Sequence, residues 1–127
     1  PYGQLFALCQ LDGIGTAPTG DPGLNHMQFK HRSLQELIER VELLGEAGIV
    51  PHRCANHGPI TSFYFRDPDQ NVVELCCNNF PTFEEWIAYF GSPQFKRNPS
   101  GIDLNAQDFV RDFRGGKSLA ELLRIPA

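Results

Sequence analysis

At 127 residues and 41% hydrophobic, the chain has enough apolar material for one domain with a core, and too little length for two. A formal net charge of −4 argues against nucleic acid or an anionic membrane surface as the main partner. No apolar run approaches the roughly 20 residues that span a bilayer.

In chain order, residues 5–11 (LFALCQL) form a short apolar run expected to be a buried strand, the last piece of a sheet whose earlier strands lie elsewhere. Residues 12–23 are rich in Gly, Pro, Thr and Asp and read as a loop. No signal peptide is visible, and the chain begins at Pro1 rather than Met, which leaves the natural N-terminus open. Residues 24–30 (LNHMQFK) alternate as a strand, with Met27 and Phe29 toward a helix and His26, Gln28 and Lys30 on the other side. Ser33 and Glu36 make a capping box for a helix that carries Leu34, Leu37, Ile38, Val41 and Leu44 on one stripe and closes at Gly45 and Gly48. Residues 51–59 lead toward the sheet and hold His52, Cys54 and His57; His31 and His52 read as surface residues.

The stretch NHGPITSFYFRDPDQNVVELCC, residues 56–77, is the centre of the sequence. Ile60 to Phe65 and Val72 to Cys77 have strand chemistry, and Asp67 to Asn71 have turn chemistry, so a hairpin is predicted. The order is thus strand, helix, strand, strand, strand, a βαβββ unit. Thr82 and Glu85 cap a further helix with an aromatic stripe of Phe83, Trp86, Ile87 and Phe90, expected to be core rather than a ligand box and to pack over the sheet or against a neighbouring subunit. After Pro93 and Pro99, a short helix over 105–113 and one last amphipathic turn over 118–124 complete a helical tail. Cys9, Cys54, Cys76 and Cys77 lack a zinc-like spacing. Cys76 and Cys77 are strand neighbours on opposite faces, so free thiols in a reducing cytoplasm are expected.

Glu74 is the anomaly: a carboxylate inside a strand otherwise fit for a core needs a cation, a proton or a hydrogen-bond network. If His26 meets Glu74 on one concave face, the two offer a nitrogen and an oxygen to a divalent metal; the plainer alternative is a hydrogen-bonded structural pair. His57, beside Gly58, is a candidate acid/base if the hairpin face lines the same concavity, and Tyr64 a candidate donor to a substrate oxygen. Otherwise His57 is a solvated loop residue and Tyr64 a core aromatic. Cys76 is either a thiolate ligand beside Glu74 or a small buried hydrophobe.

GLNHMQF at 23–29, the capped helix and NHGPITSFYFRDPDQNVVEL at 56–75 resemble the vicinal oxygen chelate superfamily, and within it the extradiol ring-cleaving dioxygenases of the catechol 2,3-dioxygenase type. The tail is similar as well, in CNNFPTFEEW, FKRNPSGIDL and AELLR, so the likeness covers residues 23–127. The resemblance implies an α+β fold with one complete βαβββ module over 23–80. The end of another module and a linker would occupy 1–22, with a helical tail over 81–127, all as one domain. It implies metal ligands at His26 and Glu74, the acid/base at His57 and a substrate-binding Tyr64. It further implies Fe(II), with Mn(II) as second choice, and a catechol-like diol and O2 as reactants. Incomplete modules leave sheet edges that favour pairing, so a homo-oligomer is expected. Alternatives on the same fold are a non-catalytic binder of the bleomycin-sequestering type and a glyoxalase-like isomerase.

Two departures stand out. The family takes its first His ligand from the earlier module, and this chain has no His before His26. A missing N-terminal segment, a partner chain and an incomplete site are the three explanations. Gln70 stands where the family's turn usually has Gly; positive φ there would cost roughly 1–2 kcal/mol, which is expected to shift the burden to Asn71.

Overall fold

The computed structural model describes residues 24–126; the expected strand at 5–11 and loop at 12–23 lie outside them. The described part is α+β. Strand β1 (Met27–His31) is followed by helix α1 (Leu34–Glu46) and then by three antiparallel strands, β2 (Arg53–Asn56), β3 (Ile60–Arg66) and β4 (Val72–Asn78). Parallel pairing of β1 with β4 sets Gln28 against Glu74 and Phe29 against Leu75. The predicted βαβββ order is therefore observed.

Helix α1 forms where the apolar stripe predicts it, and it buries Leu34, Leu37, Ile38 and Val41. The cap differs in detail. Ser33 Oγ accepts the Glu36 N–H as expected, but the Glu36 carboxylate reaches past Ser33 to the Arg32 N–H, so the box is not reciprocal. Because side chains alternate along a strand, Cys54, Phe63, Phe65, Leu75 and Cys77 all point to the helix side and join its stripe in one core. Ser62, Tyr64, Glu74 and Cys76 are the intervening residues and face the other way.

The tail departs from expectation in three places. Helix α2 (Phe83–Phe90) has the predicted Thr82–Glu85 capping box, yet none of its residues is buried. Phe83, Ile87 and Phe90 are exposed, so the aromatic stripe is not core; its rings stack on one another and on Phe95 instead. Helical spacing reveals which residues share a face but not what covers it. Next come two elements that the Pro-rich 93–99 stretch concealed, helix α3 (Pro93–Arg97) and strand β5 (Ile102–Leu104). Strand β5 adds to β2 and makes the sheet five-stranded, in the order β1-β4-β3-β2-β5. Helices α4 (Ala106–Arg114) and α5 (Leu119–Leu122) lie where the sequence predicts them, and Phe109 and Leu122 close the core.

Three smaller corrections concern single residues. Met27 and Phe29 are on the helix side but exposed, with β1 at the edge of the sheet. His31 is not a plain surface residue: its Nδ1 is buried without a hydrogen-bond partner. Gln70 itself adopts φ +69°. Asn71 is occupied otherwise, since its backbone N–H and side-chain amide both donate to the Asp67 carboxylate, at 2.8 and 2.9 Å. The turn thus keeps Asn71 as a clamp and leaves the strained position to Gln70.

Candidate metal and acid/base site

The non-helical face of the sheet gathers the four residues singled out above. His26 immediately precedes β1 rather than lying within it, and its Nε2 is 2.8 Å from Glu74 Oε2. Glu74 is 1% exposed, and its other oxygen accepts a 2.6 Å hydrogen bond from Ser62 Oγ. Both carboxylate oxygens are engaged, which answers how a strand interior accommodates a carboxylate.

His57 follows β2 and is bonded at both ring nitrogens: Nδ1 is 2.8 Å from the Ser100 carbonyl oxygen, and Nε2 is 2.8 Å from the Tyr64 hydroxyl. A solvated loop residue is therefore the wrong picture. The loop is built for this. Its next residue, Gly58, has φ +93°, and a Cβ there would collide with the Tyr89 hydroxyl. The Gly58 N–H donates to Asn56 Oδ1 at 2.8 Å, and Asn79 Nδ2 donates to that oxygen as well, at 2.9 Å.

Tyr64 joins the two halves of the site. Its ring meets that of His26 edge-on at 6.1 Å and that of His57 at 6.2 Å, and it lies opposite Glu74 in the β3–β4 register. Burial pushes the phenol well above its ordinary range, with the Glu74 charge adding to the shift. The Tyr64 hydroxyl is accordingly a proton donor at neutral pH. On its far side the Arg53 guanidinium sits 5.1 Å from the ring centroid and pairs with Asp103 on β5 at 2.8 Å.

Cys76 is 1% exposed, and burial pushes its thiol up to about 12, with Glu74 next in effect. The uncharged small hydrophobe is the better description of it. Cys54, Cys76 and Cys77 are free thiols; Cys9 lies outside the described residues. His52 is exposed, as expected.

Ser62, Arg53 and Ser100 were not anticipated from sequence. Ser62 carried a signal, since period-two alternation puts it between Tyr64 and the start of β3 on the Glu74 face. Ser100 carried none, because it acts through its backbone carbonyl.

His26 Nε2 and the buried Glu74 Oε2, 2.8 Å apart, are the donor types of two positions of a two-His-one-carboxylate metal set. Among the described residues no third His, Cys, Asp or Glu joins them. A βαβββ unit with this sheet face is a module of the vicinal oxygen chelate class. The chain's homologues are extradiol dioxygenases of that superfamily. Biphenyl-2,3-diol 1,2-dioxygenase 2 of Rhodococcus globerulus is 38% identical over 86 residues, which are 68% of this chain and 45% of that protein. Biphenyl-2,3-diol 1,2-dioxygenase 3 of the same organism is 35% identical over 100 residues, 79% of this chain and 53% of its own length. The chain thus spans about half the length of the curated relatives it matches. No protein-family model matches the chain, and no solved structure matches it. No described helix is long and apolar enough to cross a membrane.

Proposed function

We propose that the chain provides the diol-binding and acid/base part of an extradiol ring-cleaving dioxygenase. It would act on a catechol-like aromatic and O2 at a mononuclear Fe(II) site, with Mn(II) as second choice. The observation that carries this reading is the pairing of two couples on one sheet face, His26 with Glu74 and His57 with Tyr64, each at 2.8 Å. Identity to two diol dioxygenases over most of the chain supports it.

His26 and Glu74 would hold the ion, and Ser62 would keep the Glu74 carboxylate oriented through the oxygen left over. A divalent ion there supplies Lewis acidity toward the diol and a common meeting point for the two reactants. The remaining chemistry belongs to the chain. Bonded to a carbonyl through Nδ1, His57 keeps Nε2 as its lone-pair nitrogen, which would exchange the Tyr64 hydroxyl for a diol hydroxyl, take its proton and return it as the ring opens. Tyr64, held in its protonated form and released from His57 by the incoming diol, would turn its one hydrogen to an oxygen of the substrate. The ring breaks beside the diol, and both atoms of O2 end in the product, a semialdehyde of the muconic type. The third metal ligand comes from outside the described residues. A second copy of the chain is one source, and a homo-oligomer is the assembly this implies.

The test is anaerobic loading with Fe(II), followed by catechol or 2,3-dihydroxybiphenyl in air, with absorbance of the yellow ring-fission product as readout. Colour in the wild type and none in Glu74→Ala or after chelation is the expected result. A second reading, a non-catalytic small-molecule binder, draws on the two-member ligand set. Small-molecule binding that survives chelation, with no colour under any loading, would establish the binder and overturn the enzyme.

A further inference from the structure

Strand β5 ends a short excursion of the chain whose effect falls on His57. The turn before it is Asn98-Pro99-Ser100-Gly101, and the Asn98 side chain closes it from within. Asn98 Nδ2 donates to the Gly101 carbonyl at 2.9 Å, and the Gly101 N–H donates to Asn98 Oδ1 at 3.0 Å. Pairing of Ile102 with Asn56 then fixes the turn alongside the residue that precedes His57. The approach is as close as backbone allows: a Cβ on Gly101, which has φ +75°, would lie 2.0 Å from the Asn56 carbonyl oxygen and 2.5 Å from His57 Cα. With these contacts made, the Ser100 carbonyl oxygen stands 2.8 Å from His57 Nδ1.

We infer that the Asn98–Gly101 turn is a positioning device that holds His57 as its Nδ1–H tautomer and aims Nε2 at Tyr64. A carbonyl oxygen only accepts, so the ring nitrogen facing Ser100 must carry the hydrogen. Neutral imidazole has one N–H, so Nε2 is then the lone-pair nitrogen, and the Tyr64 hydroxyl donates to it. Without the carbonyl, neither nitrogen is held to one role. The proton-accepting duty of His57 rests on the dioxygenase reading above; the tautomer does not.

The experiment uses the metal-free 127-residue chain with 15N-labelled histidine. Long-range 1H–15N correlation spectra report which ring nitrogen is protonated, and His57→Gln identifies the His57 signals. His57 is expected as the Nδ1–H form in the wild type. In Asn98→Ala, and more strongly in Gly101→Ala, the ratio of Nδ1–H to Nε2–H should fall by about fivefold or more, the worth of one hydrogen bond. Asn98→Asp keeps the acceptor for the Gly101 N–H and should recover part of the ratio. An Nε2–H wild type overturns the proposal. So does an unchanged ratio in both variants while their amide spectra remain those of a folded chain. A chain with the Nδ1–H tautomer but no ring cleavage would sink the dioxygenase reading and leave the role of the turn intact.

Discussion

The two faces of the β3–β4 hairpin share a backbone and differ in everything else. Toward α1 the strands send Phe63, Phe65, Leu75 and Cys77 into an apolar core. Toward the other side they send Ser62, Tyr64 and Glu74, each bonded to a polar partner. Even adjacent cysteines divide this way, with Cys77 in the core cluster and Cys76 next to the carboxylate strand position. One face supplies stability without direction, and the other spends hydrogen bonds on fixing where charged and polar atoms sit.

Substitutions on each face should separate these roles. Phe63→Ala, which empties a fully buried site packed on Phe109, should cost about 3–5 kcal/mol in urea unfolding. Ring geometry at His57 should be untouched in whatever fraction stays folded. Ser62→Ala on the opposite face should cost about 1–3 kcal/mol, since Glu74 Oε1 would lose its partner in a buried setting. Its larger effect should be weaker uptake of Fe(II), measured by calorimetry; a stability loss with unchanged uptake would mean that Ser62 supports the fold alone.

The smallest effect belongs to the turn that joins the strands and lies on neither face. The Asn71 side-chain amide, followed in effect by turn N–H groups, holds the Asp67 carboxyl below its usual range. Because the folded pKa is the lower one, this contribution is complete above the unfolded pKa and disappears as pH falls through the folded value. Asp67→Asn should therefore flatten the acid side of the stability–pH curve, below about pH 4, and leave ring cleavage unchanged. An identical acid limb in the variant would show that the turn clamp contributes nothing to folding.

Much of the paired-face design is legible in the sequence. Period-two alternation over Ile60–Phe65 and Val72–Cys77 assigns each residue to a side, and a carboxylate at Glu74 marks the side that needs partners. His26, His57 and Tyr64 converge on that side as the motif resemblance implies. What stayed hidden depends on distant chain or on backbone alone. Strand β5 is three residues long between Gly101 and Asn105, too short for any pattern. The exposed stripe of α2 has the spacing of a core helix, and nothing local says what lies opposite. Gln70 accepts positive φ because Asn71, the easier candidate, is committed to Asp67 through its side chain.

The parallel pairing of β1 with β4 is held by five rungs, from Met27–Val73 to His31–Cys77, and His26 lies just ahead of the first. A slip of one rung would carry His26 about 3.3 Å along the sheet and turn Gln28 to the opposite side. The distance between His26 Nε2 and Glu74 Oε2 is therefore a readout of strand alignment. Whatever settles the outer edge of β1 also tunes how far apart His26 and Glu74 stand, with no change to either residue.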